Sequence, residues 1–172
     1  MDSFLSNIFL IVTSLVGAFF DWRYRKIPNW LTFGVLFLVL GLNLMSLKFY
    51  TVFYSLLGFL SGIVILLIPY LLGMMGAGDV KLLGALGAVV GCKDVVVIFI
   101  LTSVCGLFLG LLWIIFRPGH FKFLITTGQA LPAVDKHQKF PYGIAIFMGT
   151  ILYIITETSG YKENIFPFLL WQ

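Results

Sequence analysis

The sequence predicts an all-α, polytopic membrane protein with about six transmembrane helices, and three observations support that prediction. Hydrophobic residues make up 60% of the 172 positions and charged residues only 10%, with a mean hydropathy of +1.07. A soluble domain carries about 25% charged residues, so a water-facing surface of ordinary composition is excluded. The apolar residues form separate runs, and the basic residues fall mainly in alternate loops between them.

Six apolar runs are bounded by charged or turn-forming residues, as membrane spans usually are. The predicted spans are Phe4–Phe20, Trp30–Leu47, Val52–Leu72, Lys81–Val90, Val95–Phe116 and Gly143–Ile155. The fourth is short for a span and can borrow residues from the adjoining "GAGD" or "GCKD". The segment Phe166–Trp171 is too short to span and is expected to lie at an interface. Residues 1–172 are therefore interpreted as one membrane-embedded domain.

The distribution of basic residues predicts the orientation. With six spans, eight of the 11 Lys and Arg residues lie on one side, which is expected to face the cytoplasm, so both termini are expected outside. At the N-terminus Asp2 precedes the apolar run and the basic residues follow it, which is the reverse of a secretory signal. The first run is therefore expected to be a retained span. The eight residues are Arg23, Arg25, Lys26, Lys81, Arg117, Lys122, Lys136 and Lys139.

The cysteines and histidines indicate neither a disulfide nor a metal site. Cys92 and Cys105 would lie roughly 20 Å apart along one helix, too far for a disulfide. His120 and His137 are distant from both in sequence. No metal or other cofactor is therefore expected. A nucleic-acid partner is not expected either, because the placement of the basic residues in alternate loops explains the net charge of +4. The expected surroundings are a lipid bilayer.

Three GxxxG spacings predict close helix packing. They occur in "GFLSG", "GAVVG" and "GLFLG". Small residues at this spacing let helix backbones approach closely in lipid. We interpret them as contacts within one bundle rather than as a dimerisation surface.

Acidic residues beside apolar segments identify the candidate site. Asp79 follows Gly76 and Gly78 in "MMGAGDVKLL". An Asp at the centre of a span costs about 2.5–3.5 kcal/mol on insertion scales, and such residues are usually functional. The two glycines are expected to loosen the helix beside a cavity. Asp21 ends the first predicted span, and two spans separate it from Asp79, so both carboxylates are expected at the same membrane face.

Two neighbouring carboxylates share one proton, which suits an aspartic protease. One Asp activates water while the other polarises the scissile carbonyl, and no metal is needed. The residues alone leave other roles open. Asp21 could pair with Arg23 or Arg25, and Asp79 could pair with Lys81 or relay protons in a small transporter.

Two motifs in order resemble the type IV prepilin peptidase family, a branch of the GxGD membrane aspartic proteases. In that family an Asp followed by "IPN" at the end of the first span pairs with a later GxGDxK, and here the corresponding segments are "DWRYRKIPN" and "GAGDVK". The segment "KFPYGIAIFMG" resembles the family's late Pro-x-Gly stretch. The resemblance implies Asp21 and Asp79 as the catalytic pair, with active-site support from Gly76, Gly78, Lys81, Pro28 and Asn29.

The implied activity is removal of the short basic leader from prepilin or pseudopilin precursors at the cytoplasmic membrane face. Longer members of the family carry paired CxxC motifs and a methylating domain, which this sequence lacks. It resembles the short, peptidase-only form, so no methyltransferase activity is expected. A small proton-coupled transporter and a non-catalytic pilus assembly factor are the alternatives.

The supporting residues carry narrower expectations. Pro28 is predicted to start the second span, Asn29 to orient a group near Asp21 or to serve as a turn residue, and Lys81 to hold the Asp79 charge or to reach the headgroups. Pro141 and Gly143 are expected to shape the start of the last span. The Arg117–Phe140 loop is a candidate lid or substrate platform.

Overall fold

The computed structural model describes residues 3–45, 49–73, 75–115 and 142–160, and their regular structure is entirely α-helical. The all-α prediction is confirmed. Each of the six predicted runs corresponds to one helix in these residues. The helices are α1 (Ser3–Tyr24), α2 (Asn29–Met45), α3 (Phe49–Leu71), α4 (Ala77–Val90), α5 (Cys92–Ile115) and α6 (Tyr142–Thr158).

Three of these helices are long and apolar enough to cross a membrane. They are α1, α3 and the segment Cys92–Leu112 of α5. The apolar helices α2 and α6 have 17 residues each and α4 has 14. At 1.5 Å per residue α4 is only about 21 Å long, against a hydrocarbon layer of about 30 Å. Length and composition thus identify three candidate spans in the described residues and indicate membrane association.

The connection between α1 and α2 is shorter than the sequence predicted. We expected a nine-residue loop between Phe20 and Trp30, but α1 continues to Tyr24 and only residues 25–28 connect it to α2. Hydropathy marks where the apolar surface ends, whereas a helix continues until its backbone hydrogen bonds stop. The stop is at Arg25, which has a φ of 55° and donates its N–H to the Asp21 carbonyl oxygen at 2.9 Å. This is a helix C-terminus closed by a left-handed residue.

The short helix α4 lies at the centre of the bundle and contacts the other five helices. It was predicted as Lys81–Val90, and it does borrow the residues of "AGD" before that range. Most of its residues are buried, including Leu82, Leu83 and Leu86, which are fully inaccessible. The bundle is therefore built around the helix that carries Asp79.

Glycines let α3 approach α4 closely. A Cβ on Gly58 would overlap the carbonyl oxygen of Gly87, and one on Gly62 would come within 2.7 Å of the Leu83 carbonyl oxygen. The first two GxxxG segments therefore pack within one bundle, as predicted. In the third, Gly106 faces Tyr142 of α6, whereas no described residue lies within 4 Å of a Cβ on Gly110.

Three predicted features lie outside the described residues. They are the interfacial segment Phe166–Trp171, the Arg117–Phe140 loop and Pro141.

Candidate active site

Asp79 lies in the first turn of α4 and is held there by a local hydrogen bond. Gly76 precedes the helix as its N-cap residue and donates its backbone N–H to Asp79 Oδ2 at 3.0 Å. The Asp79 N–H in turn donates to the Gly76 carbonyl oxygen at 3.2 Å. An acidic residue that reaches back to the N-cap amide forms one half of a capping box. Asp79 is only 5% exposed, so its carboxylate is buried at a helix N-terminus, where a negative charge is stabilised.

The two glycines before Asp79 act differently from the prediction. They were expected to loosen the helix, but Gly78 lies within α4, and Gly76 has φ −86° and ψ 153°, which any residue can adopt. The role of Gly78 is steric. A Cβ on Gly78 would lie 3.0 Å from Ile27 Cβ, so the missing side chain lets the α1–α2 connection pack against the start of α4. Gly78 thereby brings the connection after Asp21 close to Asp79.

Asp21 lies in the last turn of α1 and is also buried, with 8% exposure. Its Oδ2 accepts a hydrogen bond of 2.8 Å from the backbone N–H of Gly143, the second residue of α6. The helices α1 and α6 thus meet at this carboxylate. The last turn of α1 is thereby tied into the bundle at Asp21.

One cleft is lined by both aspartates. It has a volume of about 290 Å³ and lies at the end of the bundle where α1 ends and α2 and α4 begin. The sequence predicted that the two carboxylates would reach the same end of the bundle, and the structure places them there. Besides the aspartates, the lining residues are Arg25, Lys26, Ile27, Asn29, Gly76, Ala77, Gly78 and Lys81.

Lys81 is held by α2. Its Nζ donates a hydrogen bond of 2.9 Å to Asn29 Oδ1 and lies 5.9 Å from the centre of the Phe33 ring. Neither of the two roles expected for Lys81 describes this contact, and Asn29 is directed to Lys81 rather than to Asp21. The reason is position, since Asn29 is the first residue of α2 and Lys81 lies in the second turn of α4. The pair joins the two helices at the rim of the cleft.

The remaining supporting residue is Pro28, which precedes the helix that it was predicted to start. The α-helix begins at Asn29, and the Pro28 carbonyl oxygen accepts the Leu31 N–H at 3.2 Å. A proline is tolerated immediately before the first turn because it has no N–H of its own that would lack an acceptor. Pro28 is not itself among the cleft-lining residues.

A comparison with protein families identifies the class of protein that carries this cleft. The sequence profile of the type IV leader peptidase family matches residues 8–111, more than half of the 172-residue chain. The chain belongs to the type IV leader peptidase family. The matched range contains every residue that lines the cleft. Membership of the leader peptidase family indicates that the protein is a protease. No curated protein and no solved structure matches the chain.

Two contacts at the cleft of this leader peptidase were not predicted from the sequence. The Gly143 amide on Asp21 joins residues 122 positions apart, and the Asn29–Lys81 bond joins residues 52 apart. Gly143 had one signal, the "PYG" segment, which we interpreted only as shaping the start of the last span. A backbone N–H carries no side-chain signature, so the sequence did not point to its acceptor.

Proposed function

We propose that the chain is a membrane aspartic endopeptidase that removes the short basic leader from type IV prepilin-like precursors, with Asp21 and Asp79 as its catalytic pair. The observation that carries the proposal is that two buried carboxylates from separate helices line one cleft of about 290 Å³. Burying one carboxylate is costly, and burying two in the same cleft is costlier still. A pair of carboxylates that shares one proton can carry out acid–base catalysis, which accounts for the burial of both in one cleft.

The proposed mechanism uses only these two side chains. The ionised carboxylate takes a proton from the attacking water, while the protonated one donates a hydrogen bond to the scissile carbonyl oxygen. A tetrahedral intermediate forms, the leaving nitrogen receives a proton, and the two carboxyl groups exchange protonation states. The pair titrates as a unit, so neither residue is assigned permanently as acid or base.

Charge around the cleft constrains how a basic leader is recognised. Arg25 and Lys26 line the cleft and are exposed, so this surface does not attract a basic peptide over distance. Recognition is therefore local to the two carboxylates. The hydrophobic helix that follows the leader is proposed to lie against the bundle from the side, within the bilayer.

Six spans, a cytoplasmic cleft and outer termini complete the proposal. The basic residues at the cleft support this orientation, because cytoplasmic loops are enriched in Lys and Arg. In this arrangement α2, α4 and α6 cross together with the three longer helices. Of the three shorter helices, α4 is the one that its neighbours enclose.

A proton-coupled transporter fits the bundle less well. A second cavity, of about 280 Å³, lies at the opposite end and is lined by polar groups that include Asn43, Asp94 and Glu157. Between it and Asp79 along α4 lie Leu82, Leu83 and Leu86, all fully buried. From Leu82 to Val90, α4 carries no polar side chain that could relay a proton, so the two cavities are better interpreted as separate.

The experiment is precursor processing with matched Asp→Asn variants. Candidate prepilins are co-expressed with wild type, Asp21→Asn, Asp79→Asn and Asp94→Asn, and the size shift and new N-terminus of each precursor are determined. Asn keeps an oxygen that can accept the Gly143 or Gly76 N–H, so the first two changes remove charge with little effect on the fold. Asp94 lines the opposite cavity and serves as the control.

We expect cleavage by wild type and Asp94→Asn, and none by either cleft variant at equal protein level. Cleavage that persists in Asp21→Asn or Asp79→Asn would refute the paired-carboxylate mechanism. If Asp79→Asn leaves function in cells intact and the purified wild type cleaves none of the precursors, the chain acts in assembly rather than catalysis.

A further inference from the structure

The Asp21 carboxylate is held by a different element from the one that holds Asp79. The bond to Asp79 Oδ2 comes from Gly76, three residues earlier in the chain. The bond to Asp21 Oδ2 comes from Gly143 on α6 and is fully buried. The position of Asp79 is therefore set locally, whereas the position of Asp21 depends on how α6 docks against α1.

The Gly143 amide is well suited to hold an anion. As the second residue of α6, Gly143 has an N–H without an acceptor in its own helix. Hydrogen bonds from backbone N–H groups to a carboxylate are charge-assisted and stronger than neutral ones. The N-terminus of α6 adds its partial positive charge to the same contact. An ionised Asp21 thus replaces the acceptor that the first turn of α6 lacks.

The amide reaches Asp21 only because residue 143 has no side chain. A Cβ there would lie 2.8 Å from Asp21 Cβ and 3.0 Å from Oδ2, closer than side chains normally approach. Gly76 does not face this restriction, since a Cβ there would lie 3.4 Å from Asp79 Oδ2, an ordinary contact. The close packing is therefore particular to the Asp21 contact.

We propose that Gly143 is a positioning residue of the peptidase, whose amide fixes Asp21 Oδ2 and so leaves Oδ1 to act on water together with Asp79. This proposal rests on the proposed function. Gly143 does not touch substrate in this account and acts only through Asp21. A carboxylate anchored by one oxygen keeps a single orientation at the cleft, which general-base catalysis requires.

The kinetic test compares Gly143→Ala with Gly34→Ala. Both add one methyl group within a helix, but among the described residues nothing lies within 4 Å of a Cβ on Gly34. Misplacing a catalytic group by about 1 Å costs on the order of 10²-fold in rate. We expect Gly143→Ala to lower kcat by about 10²-fold with an unchanged KM and an intact fold, and Gly34→Ala to match wild type. An unchanged kcat in folded Gly143→Ala overturns the proposal.

A second measurement keeps the test decisive if Gly143→Ala fails to fold. The Gly143 amide proton resonance is followed by NMR in the full chain labelled with ¹⁵N-glycine, in wild type, Asp21→Ala and Asp79→Ala. We expect it to move upfield when its acceptor is removed in Asp21→Ala and to stay in place in Asp79→Ala. A resonance that is unmoved in Asp21→Ala overturns the contact.

The two proposals fail in different ways. If wild type and Gly34→Ala cleave a prepilin while Gly143→Ala does so equally well, only the positioning role is wrong. If wild type cleaves no precursor, the proposed function fails and the positioning role fails with it, whatever the amide resonance shows.

Discussion

Replacing Gly58 with Ala is expected to destabilise the protein strongly, because α3 and α4 touch through their backbones at this point. The new Cβ would overlap the Gly87 carbonyl oxygen and lie 2.8 Å from the Gly91 Cα. Neither neighbour is a side chain that can rotate away. The helices must separate, and overpacking of this kind costs about 1–3 kcal/mol.

The matched control is Gly34→Ala on α2, where a Cβ meets no atom of the part of the chain that the structure describes within 4 Å. Ala is favoured over Gly inside a helix by about 0.5–1 kcal/mol, so this variant is expected to be slightly more stable than wild type. Gly58→Ala gains the same helix preference, so the free energies of unfolding of the two variants should differ by the overpacking cost, about 1–3 kcal/mol.

The assay is reversible unfolding of purified protein in mixed micelles, followed by far-UV circular dichroism as the denaturing detergent increases. Both variants remove one glycine and add one methyl group, so effects on the unfolded chain cancel. Equal unfolding free energies for Gly58→Ala and Gly34→Ala would refute the backbone contact between α3 and α4.

Three further predictions concern the cleft and the opposite end of the bundle. Arg25→Gly should be more stable than Arg25→Ala by about 1 kcal/mol in the same unfolding assay, because a left-handed backbone is strained for any residue with a Cβ; equal stabilities would contradict the strain at the end of α1. A double-mutant cycle of Asn29→Ala with Lys81→Met should give a coupling energy of at least about 0.5 kcal/mol, and additive effects would show that the pair does not join α2 to α4. Tyr153→Phe should lose about 1–3 kcal/mol of stability, because the buried hydroxyl hydrogen-bonds Asp94. The folded Tyr153→Phe should still cleave at the wild-type rate, and loss of cleavage would argue against separate cavities.

The approach of two distant aspartates could be predicted because it depends on helix parity. An even number of helices between two loops returns the chain to the same end of the bundle, whatever the exact helix boundaries are. That reasoning tolerated the error at the end of α1, where the helix passes Asp21 and continues to Tyr24. The central position of α4 was not predicted, since its short length indicated a weak span rather than the helix that its neighbours enclose.

The details of the cleft could not be predicted because they depend on tertiary distances. The contact between Gly143 and Asp21 follows from the docking of α6, and that between Asn29 and Lys81 follows from the crossing of α2 and α4. Neither leaves a periodic pattern in the sequence. The motif pointed to Gly78 but not to its steric role, because the approach of Ile27 arises only in the folded bundle.

The central claim is that Asp21 and Asp79 act as one catalytic unit. It is tested most directly by measuring the cleavage rate of a prepilin peptide by purified wild type, Asp21→Asn, Asp79→Asn and the double variant. When two residues act together, the effects of their substitutions on the rate are strongly non-additive. The cleavage rate of each single variant should therefore fall to the same background as that of the double variant. A single variant that keeps a rate clearly above that of the double variant would contradict the account.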